Sequence, residues 1–265
     1  MFATNLINGL PAFLKGKAYP HVNDSKDTVS HQLYDTDIDC FEYIASRPDL
    51  LEASQRLYRE QSAERKSWIH EASVPKDDFV LGPDDLEAGR VLFVDIGGGM
   101  GHQCLELRKA HPTLKGRFVL EDVPAVLEMA KNSQPLRRND IEIAEQDIFQ
   151  PQSVIGAKVY YMRSVLHSYP DGRCLVILKH LRLAMRSDSI LIVDDMVLAE
   201  HQPDYKSIDY DLLMMCAQAG MERWLLQFDC LLRQAGFKIR DVWKYDADDK
   251  IIVAMPGDEV RGDKV

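Results

Sequence analysis

Residues 91–103 read Val-Leu-Phe-Val-Asp-Ile-Gly-Gly-Gly-Met-Gly-His-Gln, an apolar run that closes on an acid and breaks into glycines. Such a run is a buried strand of a parallel sheet feeding a tight turn. Glycine there lets the backbone turn sharply and lets a ligand approach with no Cβ in the way, while the helix that follows offers free N–H groups. The turn is a cradle for a nucleotide-like ligand. The dinucleotide spacing Gly-x-Gly-x-x-Gly fails, because a start at Gly97 puts His102 in the third position and a start at Gly98 puts Met100 in the second. The spacing present is Asp95-x-Gly97-x-Gly99-x-Gly101.

Downstream, strand-like runs at 91–96, 117–121, 141–145, 158–163 and 189–196 alternate with helical patterns near 101–110, 124–132 and 172–186. This alternation requires a parallel sheet with helices on both faces. Helices are expected near 207–218 and 224–235. The runs Phe237–Tyr245 and Lys250–Met255, separated only by Asp246-Ala-Asp-Asp249, form an antiparallel hairpin at the sheet edge. Upstream, residues 1–38 hold a short helix and an irregular segment. From 39 to about 72, apolar residues recur at helical spacing with a break at Pro48, giving two amphipathic helices, and an acidic connection leads into the sheet.

Two further strand ends carry acids. The second strand closes on Glu121-Asp122-Val123-Pro124, about twenty residues past the glycines, where an acid can accept both hydroxyls of a ribose. Either Glu121 or Asp122 can do this; Asp122 is preferred, because Pro124 suits a first helical turn and Asp122 closes the strand. The third strand ends in Asp147-Ile148-Phe149, where Asp147 can accept from an adenine amino group while Ile148 or Phe149 packs on the ring. Each acid taken alone reads equally well as a cap or turn residue.

The formal net charge of −10 and the lack of any Lys/Arg-rich run disfavour a nucleic-acid partner. The five cysteines are scattered without ligand spacing and read as reduced, mostly buried residues of a cytoplasmic protein. The apolar N-terminus is interrupted by Asn5, Asn8, Gly9 and Pro11 and has no basic lead, so neither a signal peptide nor a membrane span is expected.

With these residues in view, the chain from about Leu10 to Pro256 resembles the plant-type caffeate/flavonoid O-methyltransferase family, and more closely its fungal secondary-metabolism branch. The resemblance rests on Leu10-Pro-Ala-Phe-Leu14, Phe41-Glu-Tyr-Ile44, Val94-Asp-Ile-Gly-Gly-Gly-Met-Gly101, Asp122-Val-Pro124, Asp147-Ile-Phe149 and Arg163-Ser-Val-Leu-His167. It continues in Leu191-Ile-Val-Asp-Asp-Met-Val-Leu198, Gly220-Met-Glu-Arg223 and Ala235-Gly-Phe237.

The resemblance implies an α/β, Rossmann-like class I methyltransferase fold, with a mainly parallel seven-stranded sheet and a C-terminal antiparallel hairpin. A helical extension and linker over 1–88, a remnant of a dimerisation region, would precede a cofactor domain over 89–256 and a disordered tail over 257–265. The implied cofactor is S-adenosylmethionine, held by Asp95, Gly97, Gly99, Gly101, Asp122, Val123, Asp147, Ile148, Phe149 and Arg163, with S-adenosylhomocysteine as product and no metal. The acceptor would be a small aromatic or polyketide-like molecule.

His167 stands where such enzymes keep a general base, flanked by Asp195 and Glu222; Asp194 is a possible substitute for Asp195. A phenol titrates near about 10 and imidazole near about 6.5, so a neutral imidazole can take the phenolic proton while a carboxylate on its other nitrogen fixes the tautomer. Met214, Met215, Met221, Trp224 and Phe228 fall in the acceptor region, although methionines and aromatics at helical spacing also serve as plain core. His102 and His111 read as surface residues.

The chain departs from the family in reading His167-Ser168-Tyr169 rather than His-Asp-Trp, in having aspartate at 195 rather than glutamate, and in starting inside the family's N-terminal winged-helix dimerisation region. Self-association is still expected through the amphipathic helices. A pericyclase-like relative that uses the sulfonium as a fixed charge, and an inactive interaction protein, are the alternative readings.

Overall fold

The computed structural model describes residues 2–19, 21–64, 67–70 and 76–257. The expected tail beyond Gly257 and the stretch 71–75 lie outside the described residues.

Eight strands run β1 (Val91–Ile96), β2 (Arg117–Asp122), β3 (Ile141–Glu145), β4 (Val159–Arg163), β5 (Ile190–Leu198), β6 (Arg223–Trp224), β7 (Phe237–Lys244) and β8 (Asp249–Pro256). The sheet order is β3-β2-β1-β4-β5-β8-β7, with β6 off this path and paired to β5. The first five strands are parallel, and β8 runs antiparallel to both β5 and β7. The seven-stranded sheet with its terminal hairpin therefore stands as expected, and a two-residue eighth strand is added. Trp224, expected to open a helix, instead pairs with Leu198 in that strand.

β1 and β5 are buried along nearly their whole length because helices cover both faces. Alternation along β4 sends Tyr160 to one face and Tyr161 to the other. Tyr160 joins Leu178, Leu181, Phe228, Leu232 and Ile252, whereas Tyr161 joins Trp68, Phe93, Leu107, Phe118 and Leu127. Each such apolar side chain contributes roughly 1.5–3 kcal/mol when fully buried. The chain runs outward from β1 in one direction and from β4 in the other, so the sheet reverses its winding between them. In open α/β sheets, ligands bind beyond the strand ends at that point.

The covering helices are α1 (Phe2–Gly16), α2 (Val29–Tyr34), α3 (Cys40–Ala45), α4 (Pro48–Glu64), α5 (Pro83–Glu87), α6 (His102–Ala110), α7 (Pro124–Ala130), α8 (Gln134–Arg138), α9 (Asp171–Ala184), α10 (Tyr205–Gln218) and α11 (Leu225–Gln234). Pro48 starts α4, a position where its missing N–H is no loss. Asp39 caps α3, accepting from the N–H groups of Phe41 and Glu42.

The N-terminal helices pack on α10 through Leu6, Phe13, Val29, Cys40 and Cys216. The hydroxyls of Thr28 and Ser30 donate to the Ala217 carbonyl at 3.3 and 2.9 Å. Trp68 is 1% exposed and donates to the Tyr161 hydroxyl at 3.1 Å, so the segment before β1 is fixed to the core. Among the described residues, no helix is long and apolar enough to cross a membrane.

Candidate active site

The glycine turn and its neighbours lie at the carboxyl ends of β1, β2 and β4. Gly97 adopts φ 64° and Gly99 φ 59°, values that a residue with a Cβ rarely takes. Gly98 is held by space: a Cβ there would lie 2.5 Å from Cγ of Asp95 and 2.6 Å from Cδ1 of Leu120. Asp95 thus sits beneath the turn, 1% exposed. Burial pushes its pKa up to about 7, offset by hydrogen bonds from Cys104 in α6.

Asp122 and Glu121 leave β2 on opposite faces. The Gly99 N–H donates to Asp122 Oδ2 at 2.8 Å and the Val123 N–H to Oδ1 at 2.8 Å. These bonds offset the upward pull of burial on its pKa. Each carboxylate oxygen keeps a further lone pair for a ligand hydroxyl. Glu121 is fully buried instead, accepting from Gln152 Nε2 at 2.8 Å.

Past β3, the exposed Asp147 accepts the Phe149 N–H at 2.9 Å, closing an Asx turn. That turn sets the Phe149 ring edge-on to Tyr169, centroids 5.0 Å apart, with the Arg173 guanidinium 3.6 Å from its centroid. Ile148 is half-buried against the core, and Val123 is 40% exposed beside Asp122.

Arg163 ends β4 with Nε 3.4 Å from Asp194 Oδ2. Asp194 also accepts from the hydroxyls of Tyr161 and Tyr245. It faces away from its neighbour Asp195, as successive strand residues must, and cannot substitute for it.

His167 lies in the one-turn helix Leu166–Ser168 after β4 and is 6% exposed. Its Nδ1 stands 2.7 Å from Glu222 Oε1 and 3.8 Å from Asp195 Oδ1. A carboxylate at hydrogen-bond distance keeps the proton on Nδ1, so the basic nitrogen is Nε2. Asp195 is 2% exposed, and neither of its oxygens has a hydrogen-bond partner among the described residues. Burial drives its pKa upward, the nearby His167 opposes that, and Glu222 adds to the rise.

The loop that carries His167 is braced from the far side. A Cβ on Gly220 would lie 2.3 Å from the His167 carbonyl oxygen, and the Met221 N–H donates to that oxygen at 2.9 Å. Arg223, fully buried, donates to the carbonyls of Leu166 at 2.9 Å and Tyr169 at 2.8 Å and to Asp171 Oδ1 at 2.7 Å. The Glu222 N–H donates to Asp211 Oδ1 on α10 at 2.8 Å. The supporting roles of Arg223 and Asp211 are not legible from sequence: one lies inside a quoted motif without a function, the other in the middle of a helix.

One expectation is corrected. His102 and His111 are half-buried rather than at the surface. Burial lowers the His102 pKa, with Arg59 and Arg163 adding to the effect, and His111 Nε2 lies 3.4 Å from the Ile69 carbonyl. Of the expected acceptor-region residues, Phe228 is core and Met215 packs on the N-terminal helices. Met214 does touch the histidine loop, its sulfur accepting from the Ser168 hydroxyl at 3.6 Å. Four cysteines are buried, Cys230 is exposed, and all five are free.

A sheet that reverses between β1 and β4, with a glycine turn at the reversal and a histidine–carboxylate cluster one strand away, places the protein among class I methyltransferase-like folds. The sequence profile of the O-methyltransferase domain family matches residues 39–238, and the chain belongs to that family. It is 35% identical over 249 residues to demethylsterigmatocystin 6-O-methyltransferase of Aspergillus parasiticus, covering 93% of this chain and 61% of that protein.

Among solved structures, a LepI variant in complex with SAH and a substrate analogue superposes with a TM-score of 0.85 at 32% identity, over 95% of this chain and 64% of that one. A structure described as a pericyclic reaction enzyme superposes with a TM-score of 0.81 at 30% identity, over 95% and 64% respectively. The chain spans about three-fifths of the length of the curated relatives it matches.

Proposed function

We propose that this chain binds S-adenosylmethionine and transfers its methyl group to a hydroxyl of a small aromatic or polyketide-like secondary metabolite, with His167 as general base. The observation that carries the reading is the 2.7 Å approach of Glu222 Oε1 to Nδ1 of His167, buried beside the glycine turn. Asp95, Gly97, Gly99, Gly101, Asp122, Val123, Asp147, Ile148, Phe149 and Arg163 form the cofactor site in this reading. The residues suit the ligand: a turn without Cβ atoms, the spare lone pairs of Asp122, and an exposed Asp147 beside an aromatic ring.

When bound, the cofactor supplies an electrophilic methyl on a sulfonium. His167 Nε2 takes the proton of the acceptor hydroxyl, and Nδ1–H stays on Glu222, whose charge stabilises the imidazolium. General-base catalysis of this kind contributes about 10²–10⁴-fold. The ligand atoms of His167, Asp195 and Glu222 lie within 4.8 Å of one another, close enough to hold a metal ion. The 2.7 Å separation favours a hydrogen bond, since tetrahedral metal ligands at 2.0–2.1 Å from the ion stand roughly 3.3 Å apart. We read the cluster as metal-independent.

The same reading places the protein in the cytoplasm, supported by its free cysteines, and includes a homodimer, supported by exposed apolar groups such as Leu57 on α4. Incubation with S-adenosylmethionine and a panel of phenolic and polyketide acceptors, read by mass, tests the activity. A product heavier by one methyl group, with S-adenosylhomocysteine released, is expected; neither product from a folded, cofactor-binding protein would overturn it.

A second reading, a pericyclase-like enzyme, is favoured by the likeness to the pericyclic reaction enzyme. It predicts products of unchanged mass and no S-adenosylhomocysteine.

A further inference from the structure

Helix α4 belongs to the segment before the sheet, yet it faces the glycine turn. Gln55 is 7% exposed, and its Oε1 stands 3.3 Å from where a Cβ on Gly99 would lie. A primary amide brings two donors and an acceptor. A mostly buried amide beside a ligand cradle is suited to meeting a polar ligand group.

The neighbours of Gln55 point the same way. Tyr58, three residues on and so on the same helical face, keeps part of its ring exposed at 44%. Burial first, and then Cys40, Tyr210 and Asp122, push the pKa of its hydroxyl up to about 12. Arg59 acts on His102, the first residue of α6. One face of α4 thus runs along the glycine turn, from Asp122 toward the start of α6.

We propose that Gln55 holds the amino-acid end of the bound nucleoside and that α4 forms the outer wall of the cofactor site, an inference that rests on the S-adenosylmethionine reading above. In that reading the ribose belongs to Asp122, whose Oδ2 holds the far side of Gly99. Past Gly99, toward α6, lies the aminoacyl chain, which ends in an ammonium and a carboxylate. An amide can donate to one and accept from the other. Gln55 is therefore a binding residue for the part of the ligand that ordinary adenosine compounds lack.

Calorimetric titration with S-adenosylhomocysteine and with 5′-methylthioadenosine, which has the same nucleoside and sulfur but no amino acid, tests this on the full chain. Gln55→Met keeps the length of the side chain without its amide. It is expected to weaken S-adenosylhomocysteine binding about tenfold while leaving methylthioadenosine within about twofold. Equal losses on both ligands, or no loss on either, would overturn the proposal while leaving the cofactor reading intact. A folded wild-type chain that binds neither ligand would overturn both. If Gln55→Met lacks a cooperative thermal transition, Gln55→Ser carries the same comparison.

Discussion

Glu222, and not Asp195, is the hydrogen-bonded partner of His167, at 2.7 Å against 3.8 Å. The shorter contact follows from the anchoring of each residue. Asp195 is fixed in β5, paired with Lys250 of β8, while the Glu222 backbone is drawn toward α10 by Asp211. The longer Glu side chain from a braced loop reaches the imidazole; the shorter Asp from a rigid strand does not.

The two acids should therefore separate under mutation. Glu222→Gln removes the charge that fixes the tautomer and is expected to lower kcat by about 10²–10⁴-fold. Asp195→Asn should lower it no more than about tenfold. Steady-state turnover of both variants on one accepted phenol checks this, with cofactor affinity unchanged in each. Equal losses would mean that the acids act as one unit.

Gly220→Ala is expected to silence the site without touching a polar group. The new Cβ would overlap the His167 carbonyl and the Ser168 backbone at 2.3 and 2.6 Å. Backbone has to move, and an error of about 1 Å at a catalytic group is worth about 100-fold in rate, with about 1–3 kcal/mol of overpacking strain. Turnover and thermal denaturation measured together check it: a lowered Tm with full activity would show that His167 tolerates the shift.

Asp122→Ala is expected to weaken S-adenosylhomocysteine about 100-fold or more. It removes the proposed ribose acceptor and also frees the Gly99 N–H that the carboxylate holds at 2.8 Å. Asp147→Ala, on an exposed turn, should cost less than tenfold. Calorimetry on both variants decides whether the β2 acid outranks the β3 acid.

Glu121 supplies a pH test away from the chemistry. Burial pushes its pKa up to about 7, against the opposing pull of the Gln152 amide, while an unfolded glutamate titrates near about 4.3. The folded chain holds the proton more tightly, so this contribution to stability is complete below about pH 4 and is lost as pH rises through about 7. Glu121→Gln, which stays neutral, should leave Tm nearly unchanged at pH 4.5 and raise it by roughly a few degrees at pH 8. A Tm gain that is the same at both values would show that the carboxyl does not titrate in this window.

Much of this architecture was legible in the residues. β1, β4 and β5 are covered on both faces and open as four-residue apolar runs ahead of Asp95, Arg163 and Asp194, and the hairpin of β7 and β8 is dictated by a four-residue separation. The five-residue helices α5 and α8 were not legible, because one turn and a half carries no measurable period. The two-residue β6 is set by what Arg223 clamps, and a fully buried arginine has no sequence signature of its own.

At the candidate site, the histidine and its two acids were named through the family resemblance, and which acid touches the imidazole depends on strand rigidity against loop reach. Gln55 was invisible for another reason: a polar residue on an amphipathic helix reads as outward-facing until the partner surface is known.

The double use of α10 bears on how such a protein can be rebuilt. One end of the helix receives the hydroxyls of Thr28 and Ser30 at Ala217, and its middle holds the Glu222 backbone through Asp211. Grafting the first sixty residues of a relative onto this chain, to borrow its acceptor preference, would re-seat the helix that aims the acid. The unit of transplantation is the N-terminal helices together with residues 205–223, and a crossover placed at the conventional border before β1 would separate parts that inherit one another's positions.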